Sequence, residues 1–206
     1  MKKLLILTGP QGSGNHMWSK IFALHPKVHG WQQLQDIHQT GHDQDPFAHY
    51  WRHPTQLNEF DWSKSDYYVA SMSVPYMDNG TQIMPNFKEF IDELRSLNIV
   101  VQIAVVGRDQ NITRIQQRRV RSGETLPLAL AEIARFTNID FLSYELVQLY
   151  KEVYLKEMSR KLDFPIDCDN PKLMEIISDD HNSKYIVPIE NYWSDELAKQ
   201  SSKEQS

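Results

Sequence analysis

The stretch Leu4-Leu5-Ile6-Leu7-Thr8-Gly9-Pro10-Gln11-Gly12-Ser13-Gly14-Asn15-His16-Met17-Trp18 runs from an apolar segment through a glycine-rich turn straight into an amphipathic helical pattern. A strand, a loop and a helix in that order form a cradle for phosphate. Glycines let backbone N–H groups close around an anion, and the helix N-terminus adds partial positive charge. A nucleoside-triphosphate loop reads G-x-x-x-x-G-K-[ST], with Lys on the β/γ-phosphates and the hydroxyl on magnesium. Gly9 and Gly14 keep the glycine spacing, but Asn15 stands where that Lys belongs and His16 where Ser or Thr belongs. The chain therefore carries a phosphate cradle without the grip on ATP and magnesium, and we expect nucleotide binding without ATPase activity.

Working outward, 206 residues suit a single α/β domain over 1–206 with a substantial core. Apolar content of 40% with 24% charged residues is that of a globular protein. A net charge of −5 argues against nucleic acid or an anionic membrane as partner, local basic patches aside. The single cysteine, Cys168, excludes an intrachain disulfide and suits a reducing compartment; nothing nearby marks it as reactive. Met1-Lys2-Lys3 precedes only four aliphatic residues, too few for a signal peptide, and no segment approaches ~18 continuous apolar residues. A cytoplasmic protein with no membrane span is the expectation.

Along the chain, Lys3–Thr8 reads as the first strand and Asn15–Leu24 as its helix, with Met17, Ile21, Phe22 and Leu24 on the buried side. His29–Ser65 is rich in Gln, His, Asp and Trp and has little periodicity, which predicts a long irregular excursion of the kind that forms functional loops or lids. Tyr67–Met72 reads as a second strand, and Asn86–Leu97 as a helix burying Phe87, Phe90, Ile91 and Leu94. Ile99–Val106 is the clearest strand, its β-branched run implying burial on both faces. Helices over 109–121 and 126–137 follow, then a strand over Ile139–Ser143 and a long helix over Tyr144–Leu162. A short helix near Lys172–Ile177 precedes a charged tail, expected to be flexible after about residue 193. Alternating strands and helices predict a doubly wound, mostly parallel sheet with helices on both faces. Ligand then belongs at the carboxyl ends of the strands, where Gly9–His16 and Arg108 both fall.

Behind the best strand comes Gly107-Arg108-Asp109-Gln110-Asn111-Ile112-Thr113-Arg114-Ile115-Gln116-Gln117-Arg118-Arg119-Val120-Arg121, five arginines within fourteen residues of an acidic chain. Arg108 lies at the strand-to-helix junction, on the edge that holds the glycine loop. Arg114, Arg118 and Arg121 share a helix face. Guanidinium forks suit phosphate because they offer two parallel charge-assisted bonds. For the helix arginines, a solvated basic face explains the pattern equally well.

With both anchors in hand the chain resembles the sulfotransferase family, divergently, over residues 4 to about 165. Gln11-Gly12-Ser13-Gly14-Asn15-His16-Met17 leading to Leu24-His25-Pro26-Lys27-Val28 resembles that family's loop and following His-Pro helix end in spacing. Val105-Val106-Gly107-Arg108 with Gln116 eight positions on resembles its second motif, Gln116 replacing the usual Ser. Phe141-Leu142-Ser143-Tyr144-Glu145, the long helix and Leu162-Asp163-Phe164-Pro165 resemble its late Tyr-Glu element. The resemblance implies a P-loop-like sulfotransferase architecture. It also implies 3′-phosphoadenosine 5′-phosphosulfate as donor, 3′,5′-adenosine bisphosphate as product, and a small-molecule or carbohydrate hydroxyl as acceptor. By the same resemblance Gly12, Ser13, Gly14, Asn15, His16 and Met17 would wrap the 5′-phosphosulfate, Arg108 and Gln116 would hold the 3′-phosphate, and His29–Ser65 would form the acceptor side.

The chain departs from the pattern at chemically important places. Gly12 aligns with the family's loop Lys or Arg, which neutralises charge on the bridging oxygen, and sulfuryl transfer depends on such electrostatic stabilisation. His16 beside the anion, or an arginine of the basic helix, would be the substitute. The family's cytosolic branch places a His after the second strand, where this chain has Ser71-Met72-Ser73. A base would then come from the histidines of the first 53 residues, such as His38 and His42 near Asp36, Asp43 and Asp45, with His16 and His38 the catalytic candidates; plain loop polarity explains the histidine-rich segment as well. No metal-ligand spacing such as H-E-x-x-H occurs, so no metal is assigned. Trp31, Trp51 and Trp62 either line an acceptor pocket or pack the loop. Two other functions stay open: a catalytically inactive nucleotide-binding module of the same fold, and an atypical P-loop kinase, against which Asn15 and His16 speak.

Overall fold

The structure, a computed structural model, describes residues 1–36, 44–78, 80–120, 123–178 and 180–186. The chain forms β1 (Lys3–Pro10), α1 (Asn15–Ala23), β2 (Val28–His29), α2 (Ala48–Arg52), β3 (Tyr67–Val74), β4 (Tyr76–Asp78) and β5 (Thr81–Ile83). There follow α3 (Phe87–Ser96), β6 (Val100–Gly107), α4 (Gln110–Val120), α5 (Leu126–Ile133), β7 (Ile139–Ser143), α6 (Tyr144–Leu162) and α7 (Pro171–Ser178). Five strands make one sheet in the order β2-β3-β1-β6-β7, every neighbouring pair parallel.

β1 sits at the centre because its sequence has no polar face. Leu4 and Ile6 point to one side and Leu5 and Leu7 to the other, all fully buried. In register, Leu5 lies beside Val69 and Leu7 beside Ala104, and this side packs against Trp18 of α1, Val147 of α6 and Leu173 of α7. Leu4 and Ile6 lie beside Tyr68 and Ala70, under Trp51 of α2, Phe90 of α3 and Ala129 of α5. Helices therefore cover both faces, and the doubly wound parallel architecture stands. The chain leaves β1 toward β3 on one side and returns past it to β6 on the other. The carboxyl end of β1 is thus the switch point at which open α/β sheets leave a crevice.

The structure departs from the expectations in three places. The strands buried at every position but the first are β1 and β3, whereas Val100–Ile103 in the first half of β6 are only half-buried. The excursion over 29–65 is not wholly irregular: it carries the end of β2, α2 and 3-10 turns at Gln32–Gln35 and Pro54–Glu59. Its aromatic residues fold back onto α3, with Trp51 stacked on Phe90 at 3.8 Å and Phe47 on Phe60 at 4.6 Å. Such packing makes most of the described excursion a structural layer rather than a lid. The antiparallel hairpin β4–β5 was not expected at all. The tail beyond residue 186 lies outside the described residues.

Candidate functional site

The loop between β1 and α1 is shaped by backbone that side chains disfavour. Gly12 has φ 87° and Gly14 φ 109°, both left-handed. A Cβ on Gly9 would lie 2.5 Å from the Val106 carbonyl oxygen, so only glycine lets β1 and β6 approach this closely. Ser13 N donates to the Pro10 carbonyl at 3.0 Å and closes the turn. Inside it, Ser13 Oγ donates to Asn15 Oδ1 at 3.3 Å, and Asn15 Nδ2 donates to Ser73 Oγ on β3 at 3.2 Å. Asn15 is therefore committed to fastening the loop to the neighbouring strand. Gln117 holds the loop from behind, its Nε2 donating to the Gln11 carbonyl at 2.8 Å. A helix leaves its first-turn N–H groups without intrahelical partners, and Gly14, Asn15, His16 and Met17 at the start of α1 line the crevice.

Across the crevice Asp109 caps α4, its Oδ1 accepting from Asn111 N and Ile112 N at 2.8 and 2.9 Å. That cap fixes the preceding residue, Arg108. Its Nη1 donates to the Gly12 carbonyl at 2.9 Å and to Gln116 Oε1 at 2.8 Å, and its Nε donates to Asn182 Oδ1 at 2.6 Å. The guanidinium lies 4.6 Å from the centre of the Tyr144 ring. Its Nη2 is buried without a partner among the described residues. Burial lowers the Arg108 pKa, opposed by Tyr144, Tyr185, Glu145 and Asp180; an anion against Nη2 would remove the imbalance. Arg108, Arg119 and Lys184 all lie 5.5–5.7 Å from the Tyr185 ring centre, three cations around one aromatic ring.

These elements enclose a cleft of about 730 Å³. Of the residues expected from sequence, Gly12, Gly14, Asn15, His16, Met17, Arg108 and Gln116 line it together, while Ser13 is buried beneath the loop. Lys20, Lys172 and Lys184 also line it, with Glu175 as the one carboxylate among the described lining residues. Lys20 follows His16 by four positions on the same helix face, so spacing alone places it there. Lys172 and Lys184 reach the cleft from α7 and the turn after it, and no local pattern announces that. Tyr144 and His181 complete this wall, with His181 N donating to Tyr144 Oη at 2.9 Å.

Other expected groups lie elsewhere. Arg114 and Arg118 both pair with Glu124, so that part of the basic helix is an ion-paired outer face and not a phosphate site. Arg121, His38 and His42 fall outside the described residues. His29 packs against Phe60 and Tyr68, and His49 bonds Gln56, neither in the cleft. His16 does line the cleft, edge-on to Trp31 at 4.9 Å. Trp31 and Trp51 are buried and Trp62 donates to the Leu57 carbonyl at 2.9 Å; all three pack the layer and none lines the cleft.

No protein-family model matches the chain, and no curated protein matches it by sequence. Among solved structures, the chain is similar to mouse sulfotransferase SULT7A1 complexed with PAP, at 12% identity over 96% of this chain and 82% of that one, with a TM-score of 0.44. No helix among the described residues is long and apolar enough to cross a membrane.

Proposed function

We propose that the cleft binds 3′-phosphoadenosine 5′-phosphosulfate and that the protein transfers its sulfuryl group to the hydroxyl of a small molecule or carbohydrate. The observation that carries this is Arg108 Nη2, buried without a partner among the described residues beside a glycine loop whose left-handed Gly12 and Gly14 line the cleft. Charge agrees with it. Lys20, Arg108, Lys172 and Lys184 face one Glu175, a cationic cleft in a chain of net charge −5 and a match for a ligand phosphorylated at two positions.

When bound, the donor supplies an activated sulfuryl group whose leaving oxygen gathers negative charge during in-line transfer. The α1 N-terminus and the loop N–H groups would hold the 5′ end, with Arg108 and Gln116 on the 3′-phosphate. Gly12 provides no side-chain charge, so stabilisation of the leaving oxygen falls to His16 and to the cleft lysines. If His16 is instead neutral, it would serve as the base for the acceptor proton, and stabilising the leaving oxygen falls to the lysines alone; His38 is the candidate base from the excursion.

A second reading, the same cleft kept for binding without turnover, is favoured by Gly12. Its φ of 87° excludes a lysine there without strain, and Gln116 Oε1 already occupies the space 2.8 Å from a Cβ.

Titration calorimetry with 3′,5′-adenosine bisphosphate, against ATP–magnesium, on wild type and Arg108→Ala separates the possibilities. Micromolar binding of the bisphosphate alone, lost in the variant, is the expected result. Absence of that binding overturns both readings, and ATP binding in its place favours the kinase reading. Transfer of labelled sulfate to an acceptor panel then decides between turnover and binding.

A further inference from the structure

Among the described residues, the hydrogen bonds of Arg108 all go to neutral oxygens. Nε donates to Asn182 Oδ1 at 2.6 Å, and Nη1 donates to the Gly12 carbonyl at 2.9 Å and to Gln116 Oε1 at 2.8 Å. The guanidinium is held in place without being neutralised. Two carboxylates stand one step farther out, Glu145 and Asp180, close enough for their charge to act on Arg108. Each is bonded to Asn182 instead of to the arginine: Asn182 Nδ2 donates to Glu145 Oε1 at 3.4 Å, and Asn182 N donates to Asp180 Oδ1 at 2.9 Å. The direction of the amide is forced. Arg108 Nε can only donate, so Oδ1 must face it, and the NH2 group then faces a carboxylate that can only accept.

We infer, on the donor reading of the cleft, that Asn182 is a positioning residue for the bound anion: it aims the Arg108 guanidinium and stands as a neutral spacer between that charge and Glu145. Glu145 is needed beside the site for another reason, since its Oε1 accepts from Asp109 N at 2.8 Å at the start of α4. Next to an unshielded arginine that carboxylate would form a charge-assisted pair with it, and a phosphate would have to displace the pair in order to bind. An asparagine amide suits the gap because its two ends differ, a carbonyl for Arg108 and an NH2 for Glu145. Aspartate would present the arginine with a second charge, and alanine would leave the gap open.

Asn182 reaches this place from beyond α7, in a turn that makes its own bonds. Ser183 N and Ser183 Oγ donate to the Asp180 carbonyl at 3.2 and 2.8 Å, and Tyr185 N donates to the Asn182 carbonyl at 2.9 Å. The Asn182 side chain is therefore not what shapes the turn, and its effect falls on Arg108. On the donor reading Arg108 meets the 3′-phosphate and the glycine loop the 5′ end, so a change at Asn182 acts on one phosphate and not on the other.

Titration calorimetry with 3′,5′-adenosine bisphosphate and with adenosine 5′-monophosphate tests this on the full chain, as wild type, Asn182→Asp, Asn182→Ala and Asn182→Ala/Glu145→Gln. Wild type should prefer the bisphosphate. Asn182→Asp should weaken the bisphosphate by about tenfold or more and leave the monophosphate within about twofold, with circular dichroism unchanged. Asn182→Ala should weaken the bisphosphate as well, because Glu145 then turns onto the arginine. Adding Glu145→Gln should restore it, since the glutamine amide still accepts from Asp109 N but carries no charge. A role confined to packing gives the opposite pattern, in which Glu145→Gln rescues nothing. A folded Asn182→Asp that binds the bisphosphate as wild type does, or an alanine variant without rescue, overturns this inference alone. Wild type that binds neither nucleotide, or both equally, overturns the donor reading and the inference with it. If Asn182→Asp fails to fold, the alanine variant and its rescue decide.

Discussion

Arg108 Nη1 donates to the backbone carbonyl of Gly12 across 2.9 Å, joining residues 96 positions apart at the mouth of the cleft. The same nitrogen reaches Gln116 Oε1 at 2.8 Å. Loop, arginine and glutamine are therefore one mechanical unit: moving any of the three shifts a cation bonded directly to the backbone of the glycine loop.

Gly12→Ala tests that unit. A Cβ at φ 87° costs about 1–2 kcal/mol in backbone strain alone. It would also lie 2.8 Å from Gln116 Oε1 and push the amide away from Arg108. We expect a total loss of about 2 kcal/mol in urea denaturation. In the Gly12→Ala/Gln116→Ala double variant the two losses should be less than additive by roughly 0.5–1 kcal/mol, because the clash is removed while the strain stays. Strict additivity would show that Gln116 does not press on the loop.

What the sequence reveals of this site follows from how local each feature is. β7 and α6 were read at their observed boundaries, since Ser143 ends an apolar strand and caps the helix, its Oγ accepting from Leu146 N at 3.2 Å. Gly12, Gly14, Asn15 and Arg108 were legible for the same reason: loop and strand end are each written within a few residues. β4 and β5 have three residues each, too short for periodicity, and their one signal is the Asn79-Gly80 turn pair, which the expectations passed over. Lys172 and Lys184 were invisible because their place in the cleft is set by how α7 packs on α1, not by their neighbours in sequence. The basic helix misled in the opposite direction. Its arginines form a pattern, but Glu124, which neutralises Arg114 and Arg118, arrives from beyond the helix end.

Gln117 offers a second test, of how the loop is anchored. The side chain is fully buried; Nε2 donates to the Gln11 carbonyl at 2.8 Å, and Oε1 accepts from Thr125 N at 2.8 Å and Leu126 N at 3.1 Å, at the start of α5. Gln117→Ala leaves a carbonyl and two N–H groups without partners, so we expect a loss of about 3 kcal/mol in urea denaturation. Gln117→Glu should be worse still, since it places a carboxylate against the Gln11 carbonyl. A loss under about 1 kcal/mol for Gln117→Ala would mean that water replaces all three bonds.

Asp45 gives the chain a pH-dependent stability whose sign is fixed by its surroundings. β3 pairs with β2 only at Tyr67 and Tyr68, so the Ser71 N–H on that edge has no strand to meet. Asp45 takes its place: Oδ2 accepts from Ser71 N at 3.2 Å and Oδ1 from Phe47 N at 2.8 Å. Burial pushes the carboxyl pKa from 3.8 to about 7, against the pull of those two N–H groups. The folded chain therefore holds this proton more tightly than the unfolded chain. Below about pH 4 both states are protonated and the contribution is complete. Between pH 4 and pH 7 the unfolded state releases its proton first, so stability falls as pH rises, by about 4 kcal/mol at most, and levels off above the folded pKa. Asp45→Asn has no proton to lose, and its melting temperature should gain on wild type steadily across that window. Melting curves that run parallel from pH 4 to pH 7 would place the Asp45 pKa near its ordinary value. The carboxylate would then cap the edge of β3 in its charged form, held by the two N–H bonds alone.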